Sequence, residues 1–302
     1  MDALKGVYNI LTTPFLADGA LDETSLRRLT TAIISMGVTG ITILGVAGEA
    51  QKLTEPERAR VVDIVMEMNA GRVPIIVGAS YDGTDTTIAA CQAAQAAGAA
   101  GVMVAPPTFA QPGAGLIEHF RRVGASINIP IVLQDFPPVN GVMLSPRAMA
   151  DLVEAVPAIT TIKLEDAPTP QRIAQTLALI GDRATIVGGL GGMYLLDELR
   201  RGARGTMTGF AFPEVLISIW HAWETGDRSA AANIYYKYLP VLIFEGQPKL
   251  GVAIRKEILR RRGLIDHAVV RHPGPELDGG ILTDLDETLA HIGIDADFSL
   301  SH

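Results

Sequence analysis

The stretch Ala158–Asp166, AITTIKLED, places one lysine at the end of a β-branched run. Such a run is typical of a buried strand. A buried ammonium is costly to desolvate, and the neutral amine can attack a carbonyl carbon to form a Schiff base. Lys163 is therefore either a reactive amine in a dry site or an ordinary strand-end lysine with its ammonium in water. The segment alone leaves both interpretations open.

Similar short apolar runs recur along the chain and alternate with longer segments that have apolar residues at helical spacing. The eight predicted strands are Val7–Leu11, Gly40–Leu44, Pro74–Gly78, Gly101–Ala105, Pro130–Gln134, Thr160–Lys163, Ala184–Gly188 and Gly205–Thr208. The predicted helices between them are Asp22–Met36, Glu55–Asn69, Thr84–Ala97, Gly115–Ile127, Ser145–Val156, Thr169–Ile180 and Gly192–Arg201. Eight strands alternating with helices predict an α/β fold, a parallel (β/α)8 TIM barrel, with a doubly wound open sheet as the alternative.

The chain continues beyond the eighth predicted strand with a segment that a barrel does not need. Three further helices are predicted there, Glu214–Trp223, Ser229–Phe244 and Gln247–Arg262. We therefore divide the chain into a barrel that carries the active site, residues 1–222, and a C-terminal helical extension, residues 223–302. Basic residues crowd the last of the three helices, and we interpret them as a solvated basic face. They are Arg255, Lys256, Arg260, Arg261 and Arg262.

Composition narrows the function. The 302 residues carry a formal net charge of −8, which gives no general attraction to nucleic acid or to an anionic membrane, so a small-molecule partner is expected. The single cysteine, Cys91, suits a reducing compartment, and no apolar stretch reaches membrane-spanning length, so a cytoplasmic protein is expected. The six histidines are scattered without metal-ligand spacing, and no nucleotide-binding or hydrolase motif is present. Neither a metal nor a cofactor is predicted.

In a barrel of this kind the chemistry lies at the C-terminal ends of the strands. Glu165 follows Lys163 by two residues and shares its side of an extended strand, where it could relay protons or pair with the ammonium. The fifth strand ends in Gln134 and Asp135. Asp135 could carry a proton or bind substrate. Gln134 could hold a water and hydrogen-bond the substrate, although a packing amide is nearly as good an interpretation. Glu49 we interpret as a structural residue, favoured by a helix dipole after the second strand.

Further candidates for substrate binding lie at the ends of the second, seventh and eighth strands. Gly188 and Gly189 would allow close approach of a substrate to the backbone, and Thr208 could donate to a carboxylate or a hydroxyl. Val46 and Ala47 lie in the turn after the second strand.

These motifs resemble, in order and spacing, the dihydrodipicolinate synthase/N-acetylneuraminate lyase family. The matching elements are the opening Gly6–Phe15, the Gly45-x-x-Gly48-Glu49 turn, the proline-rich end of the fifth strand up to Gly141, the Ile162-Lys163 strand and the Gly188-Gly189 turn. The resemblance implies a barrel with a C-terminal helical extension and a Schiff-base lysine, Lys163, that acts on pyruvate or another 2-keto acid without a metal. It also implies a homo-oligomer, a tetramer or a dimer.

The chain departs from the synthase pattern at four positions together. The fifth-strand tyrosine that shuttles protons in the family aligns with Gln134, and an amide is neither an acid nor a base near neutral pH. Two hydroxyl residues align with Val46 and Ala47, and a carboxylate-binding arginine aligns with Val139. The synthases also have a tyrosine at the end of the fourth strand, and this chain has no tyrosine near the corresponding residues Pro107 and Thr108. These departures predict that the chain does not catalyse the dihydrodipicolinate synthase reaction.

Other segments resemble the branch of the family that includes 2-keto-3-deoxy-L-arabinonate dehydratase. They are Val132–Pro137, Gly205–Gly209 and the segment from Leu239 to Leu277. The predicted function is a lyase that dehydrates, or cleaves by retro-aldol reaction, a 2-keto-3-deoxy sugar acid. The alternatives are a pyruvate-dependent aldolase of the same family, which includes a synthase-like enzyme with an altered site, and a non-catalytic barrel that binds a keto acid.

Overall fold

A computed structural model describes residues 4–108 and 110–294, so residues 295–302 of the predicted extension lie outside it. Eight parallel strands form one curved sheet in the order β7-β6-β5-β4-β3-β2-β1-β8. A bridge between Gly188 and Thr206 joins the two end strands. The strands are β1 Gly6–Ile10, β2 Gly40–Ile43, β3 Ile75–Gly78, β4 Gly101–Val104, β5 Ile131–Asp135, β6 Ile159–Leu164, β7 Thr185–Val187 and β8 Gly205–Thr208. The predicted (β/α)8 barrel is confirmed.

Helices connect consecutive strands and surround the barrel. They are α1 Glu23–Ser35, α2 Glu55–Asn69, α3 Thr84–Ala96, α4 Ala114–Ala125, the single turn α5 Pro137–Asn140, α6 Pro146–Ala155, α7 Thr169–Ile180 and α8 Leu195–Arg200. Helix α2 begins with a capping box in which Thr54 and Glu57 satisfy each other's backbone N–H groups. Because side chains alternate between the two faces of a strand, Tyr8, Val132 and Met207 lie in a small apolar cluster that is separate from the larger core.

The C-terminal segment consists of α9 Pro213–Glu224, α10 Arg228–Glu245, α11 Gly251–Arg261 and α12 Gly279–His291. The sequence predicted the first three, and α12 was missed. Helix α9 runs through the proposed boundary at residues 222 and 223, so the division into two parts remains a prediction. Within the described residues, no helix is long and apolar enough to cross a bilayer.

The basic cluster on α11 is not the solvated face that the sequence suggested. Lys256 is fully buried and Arg255 is 7% exposed, and each pairs with a buried glutamate. Lys256 lies three residues after Ala253 and three before Leu259, both buried, so helical spacing puts its stem on the apolar face. The interpretation was wrong for these two residues, because their charges are neutralised inside the protein.

Glu49 is structural, but for a different reason from the one expected. It lies between two short 3-10 turns with a φ of 54° and precedes α2 by several residues, so it is not at the start of that helix. Its carboxylate accepts hydrogen bonds from Lys256, from Lys52 at 2.9 Å and from the backbone N–H of Arg271 at 3.0 Å. Burial lowers the pKa of Lys256 to about 8, against the opposing effect of Glu49. The cluster of Glu49, Lys52, Lys256 and the backbone of Arg271 thus connects the C-terminal segment to the turn after β2.

Candidate active site

A cavity of about 530 Å³ opens at the C-terminal ends of the strands. Its wall includes Lys163 from β6 and Gln134 from β5, with Glu165 just after β6. Val46, Ala47 and Thr208 border it on other sides. Six of the nine site residues predicted from the sequence therefore line a single cavity, the place where (β/α)8 barrels carry their chemistry.

Lys163 and Gln134 lie side by side because β5 and β6 pair in register at these two residues. Lys163 is 2% exposed, and its Nζ donates to Oε2 of Glu165 at 2.6 Å. Gln134 Nε2 donates to the same oxygen at 3.0 Å. The sequence predicted that Glu165 shares the side of Lys163, and the geometry confirms it. An amine in direct contact with a buried carboxylate has a nearby acceptor for a proton.

The other oxygen of Glu165 faces the turn after β7. A Cβ placed on Gly189 would lie 2.4 Å from Oε1 of Glu165, closer than atoms can approach. The missing side chain of Gly189 thus makes room for the carboxylate. Gly189 does not line the cavity, so its predicted contact with substrate remains a prediction that the geometry does not support.

Gly188 has an equivalent partner in a second buried acid. A Cβ on Gly188 would lie 1.7 Å from Oε2 of Glu198, so the backbone at Gly188 is packed directly against that carboxyl group. Thr169 donates to the other oxygen of Glu198 at 2.6 Å. Burial raises the pKa of Glu198 to about 8, which leaves it protonated near neutral pH. The space beside the backbone of Gly188 is thus occupied by the side chain of Glu198. Direct contact between Gly188 and the substrate remains a prediction.

Asp135 points away from the cavity. Alternation along β5 turns it outward from the barrel while Gln134 turns inward. There its Oδ2 lies 3.5 Å from a guanidinium nitrogen of Arg172, which also pairs with Asp166 at 3.2 Å. Burial raises the pKa of Asp135 to about 7, which the charge of Arg172 opposes. The sequence predicted that Asp135 contacts substrate or carries a proton. The structure places it outside the cavity, because consecutive residues of a strand face opposite sides.

The turns after β2 and after β7 also border the cavity. Val46 begins a 3-10 turn, Val46–Gly48, after β2, and no described group accepts a hydrogen bond from the backbone N–H of Val46 or Ala47. The first N–H groups of a helical turn have no partner within the turn. Thr208 Oγ1 accepts from the N–H of Gly191 at 2.8 Å and so holds the turn after β7 against the end of β8.

A second charged pair borders the cavity, and sequence reasoning missed it. Glu245 at the end of α10 and Arg255 on α11 both line the cavity and form an ion pair of 2.5 Å. The sequence signal was weak, because Glu245 is one acidic residue at the end of an apolar run and Arg255 is one of several charged residues on α11. Among residues 4–108 and 110–294, no three His, Cys, Asp or Glu side chains gather where they could hold a metal ion.

The parallel barrel, the buried lysine at the end of β6 and the C-terminal helices over the cavity together define an aldolase-type (β/α)8 barrel. The comparisons with known proteins agree. The chain belongs to the dihydrodipicolinate synthetase family, whose model matches residues 3–292. The resemblance found in the sequence is confirmed.

The relatives differ in their reactions. The chain is 34% identical over 280 residues to L-2-keto-3-deoxyarabonate dehydratase of Azospirillum brasilense, covering 90% of this chain and 89% of that protein. It is 29% identical over 296 residues to 4-hydroxy-tetrahydrodipicolinate synthase of Brucella suis biovar 1 (strain 1330), covering 96% and 99%.

Solved structures show the same fold. Dihydrodipicolinate synthase from Rhodopseudomonas palustris superposes with a TM-score of 0.89 at 32% identity, covering 95% of this chain and 97% of that one. A prophage protein of the dihydrodipicolinic acid synthase family from E. coli K12, solved in complex with pyruvate, gives a TM-score of 0.89 at 26% identity, covering 96% and 98%.

Proposed function

We propose that this protein is a lyase that forms a Schiff base between Lys163 and a 2-keto acid and eliminates water from a 2-keto-3-deoxy sugar acid. The observation that carries the proposal is the contact of 2.6 Å between Lys163 Nζ and Glu165 Oε2 at the wall of the cavity. Amine nucleophiles need a dry setting and a neighbouring base, and this pair has both. The relationship to a dehydratase at 34% identity supports the choice of reaction.

The Schiff base forms first. The ammonium of Lys163 first gives one proton to Glu165, with which it is paired. The neutral amine then attacks C2 of the keto acid, and a second proton passes from nitrogen to the oxygen on C2. Glu165 returns its proton to the resulting hydroxyl, which leaves as water and gives an iminium ion. Glu165 ends this stage as a carboxylate, and both contacts seen in the structure are with its Oε2 atom.

Elimination follows from the electron-withdrawing iminium. A base removes a proton from C3, and the electron pair forms an enamine. The enamine expels the hydroxyl on C4, which takes up the proton and leaves as water, so that a C3–C4 double bond forms. We assign both proton transfers to Glu165, because the amide of Gln134 cannot carry a proton. Gln134 holds the carboxylate in place instead.

The carboxylate of the substrate is assigned to the turn after β2. The N–H groups of Val46 and Ala47, which have no acceptor among residues 4–108 and 110–294, border the cavity, and backbone donors at such a turn suit an anion. Thr208 at the end of β8 also lines the cavity, and we assign it to a hydroxyl of the substrate.

Borohydride trapping tests the proposal. The protein is incubated with pyruvate or, separately, with a 2-keto-3-deoxy sugar acid, reduced, weighed intact by mass spectrometry and mapped by peptide. The reduced Schiff base of the intact sugar acid carries the substrate mass less one water plus two hydrogens. An adduct on Lys163 that has lost a second water supports dehydration, whereas formation from the sugar acid of the same adduct that pyruvate gives would select aldol cleavage. Absence of any adduct from folded wild-type protein overturns the Schiff-base mechanism. A K163M variant, which removes the amine, is the control.

Assembly is part of the proposal. Family resemblance supports a homo-oligomer, either a tetramer or a dimer. Light scattering coupled to size-exclusion chromatography measures the mass directly, and a mass equal to one chain contradicts this part without affecting the chemistry.

A further inference from the structure

Arg255 is held at the cavity by a network that uses only part of its guanidinium group. It is 7% exposed and lines the cavity from α11. Its Nε donates to Oε1 of Glu245 at 2.5 Å, and Oε2 of Glu245 accepts from the N–H of Ala211 at 2.9 Å. Both carboxylate oxygens of Glu245 are thus engaged, and the guanidinium is fixed in one place.

The terminal nitrogens of Arg255 have no acceptor among the residues that the structure describes. Nη1 is shielded from solvent and lacks a hydrogen-bond partner. A guanidinium carries five N–H donors, and a buried donor without an acceptor costs free energy. Neutralising Glu245 requires only the bond from Nε, so the ion pair alone does not account for the remaining donors.

The guanidinium lies beside the turn to which the substrate carboxylate has been assigned. A Cβ placed on Gly209, just after β8, would lie 2.4 Å from Nη1 of Arg255 and 3.3 Å from the Cβ of Ala47. The side chains of Arg255 and Ala47 therefore crowd the same point on the cavity wall. Gly209 leaves that point empty, and Ala47 brings no hydroxyl of its own.

We infer that Arg255 binds the carboxylate of the 2-keto acid and sets the preference of the site for acids over neutral ketones. This inference rests on the proposed function and extends it to a specific residue. Guanidinium groups bind carboxylates through two parallel hydrogen bonds. Val46 and Ala47 offer only backbone N–H groups, and Arg255 adds the charge that the turn lacks.

Trapping at Lys163 with two matched compounds tests the inference. Pyruvate carries the carboxylate, and pyruvamide has the same ketone next to a neutral amide. The R255M variant is expected to raise the half-saturating pyruvate concentration by about 10- to 100-fold, the size expected for a lost charged hydrogen bond, and to leave trapping of pyruvamide within about twofold. The R260M control removes a charge from the same helix, where Arg260 pairs with Glu257 at 2.8 Å outside the cavity. It should change neither value.

The design separates loss of recognition from loss of fold. Because R255M leaves Glu245 without its cation, the E245Q/R255M double variant removes both charges, and circular dichroism and thermal unfolding establish that each variant is folded. Both variants should lose the preference for pyruvate. If either folded variant keeps the wild-type ratio of pyruvate to pyruvamide trapping, the inference is overturned.

A binding experiment keeps this inference distinct from the Schiff-base proposal. Calorimetric titration of K163M with pyruvate measures non-covalent binding alone. Binding that disappears in K163M/R255M supports the role of Arg255 even if the wild-type protein traps no adduct, a result that would overturn only the proposed mechanism. Equal binding, or no binding, to K163M and K163M/R255M contradicts the role of Arg255.

Discussion

Gln134 and Lys163 are register partners on β5 and β6, and both donate to the same oxygen of Glu165. The amide therefore holds the carboxylate beside the amine. The sequence resemblance predicts a proton-carrying tyrosine at the position of Gln134, and an amide cannot take over that role. The shared contact is the reason we propose Glu165, the residue that follows β6, as the proton carrier.

Replacement of Glu165 by glutamine should remove turnover without removing the Schiff base. The amide retains the size of the carboxylate but cannot accept a proton, so kcat for dehydration should fall by about 10²- to 10⁴-fold. Steady-state kinetics measure this loss, and borohydride trapping with pyruvate should still label Lys163, with slower formation. A variant with wild-type kcat would remove Glu165 from the mechanism.

A methyl group at Gly189 should act on the same carboxylate from the other side. Its Cβ would lie 2.4 Å from Oε1 of Glu165, so the G189A variant must displace the carboxylate from Lys163. Turnover should fall at least tenfold, because catalysis is sensitive to displacements of about 1 Å. Combining G189A with E165Q is the decisive measurement, since the second change should add little. Fully multiplicative losses in kcat would show that Gly189 acts elsewhere.

The buried pair between Lys256 and Glu49 should be important for stability. In K256M the carboxylate of Glu49 loses one of its two cations in a closed site, and breaking such a pair costs about 3–5 kcal/mol of unfolding free energy. Chemical denaturation measures the loss. The matched R260M variant removes an arginine whose side chain is 46% exposed, and it should lose no more than about 1 kcal/mol. Equal losses in the two variants would contradict the importance of the buried pair.

Glu198 should make the protein less stable as pH rises. Its pKa is raised from 4.5 to about 8 in the folded protein, so the folded state binds a proton that the unfolded state releases between these values. The stabilising effect of that proton is complete below pH 4.5 and is lost as pH rises through 8. Asp135, with its pKa raised to about 7, contributes in the same direction.

The E198Q variant tests this assignment. Glutamine retains the shape of the side chain without titrating. The unfolding free energy of E198Q relative to that of the wild type should therefore increase from pH 5 to pH 8. The increase should be up to a few kcal/mol, which corresponds to a pKa shift of about one to three units. Thermal unfolding at a series of pH values provides the comparison. A difference that does not change with pH would show that Glu198 does not titrate in this range.

The barrel was predictable from sequence because its signals are local. The predicted eighth strand, Gly205–Thr208, matches the structure residue for residue, and the others differ by one or two residues at their ends. The pairing of Lys163 with Glu165 was also predictable, since alternation along a strand fixes which side each residue faces. The same alternation turns Asp135 away from the cavity that its neighbour Gln134 lines, so the prediction for Asp135 was wrong.

The rest of the site depends on contacts between distant parts of the chain. Lys256 and Glu49 are 207 residues apart in sequence, and the residues around each of them give no sign that the two form a pair. Arg255 was taken for a surface charge because charged residues are rarely buried without partners, and its partner Glu245 is on another helix. Helix α12 escaped prediction altogether.

The cluster around Glu49 has a consequence for building hybrid enzymes. Lys256 and Arg271 reach it from the C-terminal segment, while Lys52 reaches it from the barrel. The same C-terminal segment brings Arg255 to the cavity. Replacing the residues beyond α9 with those of a relative would therefore change one wall of the cavity and also the contacts of Glu49 with the C-terminal segment. Such chimeras should fold only when the loop after β2 is transferred together with the C-terminal segment that contacts it.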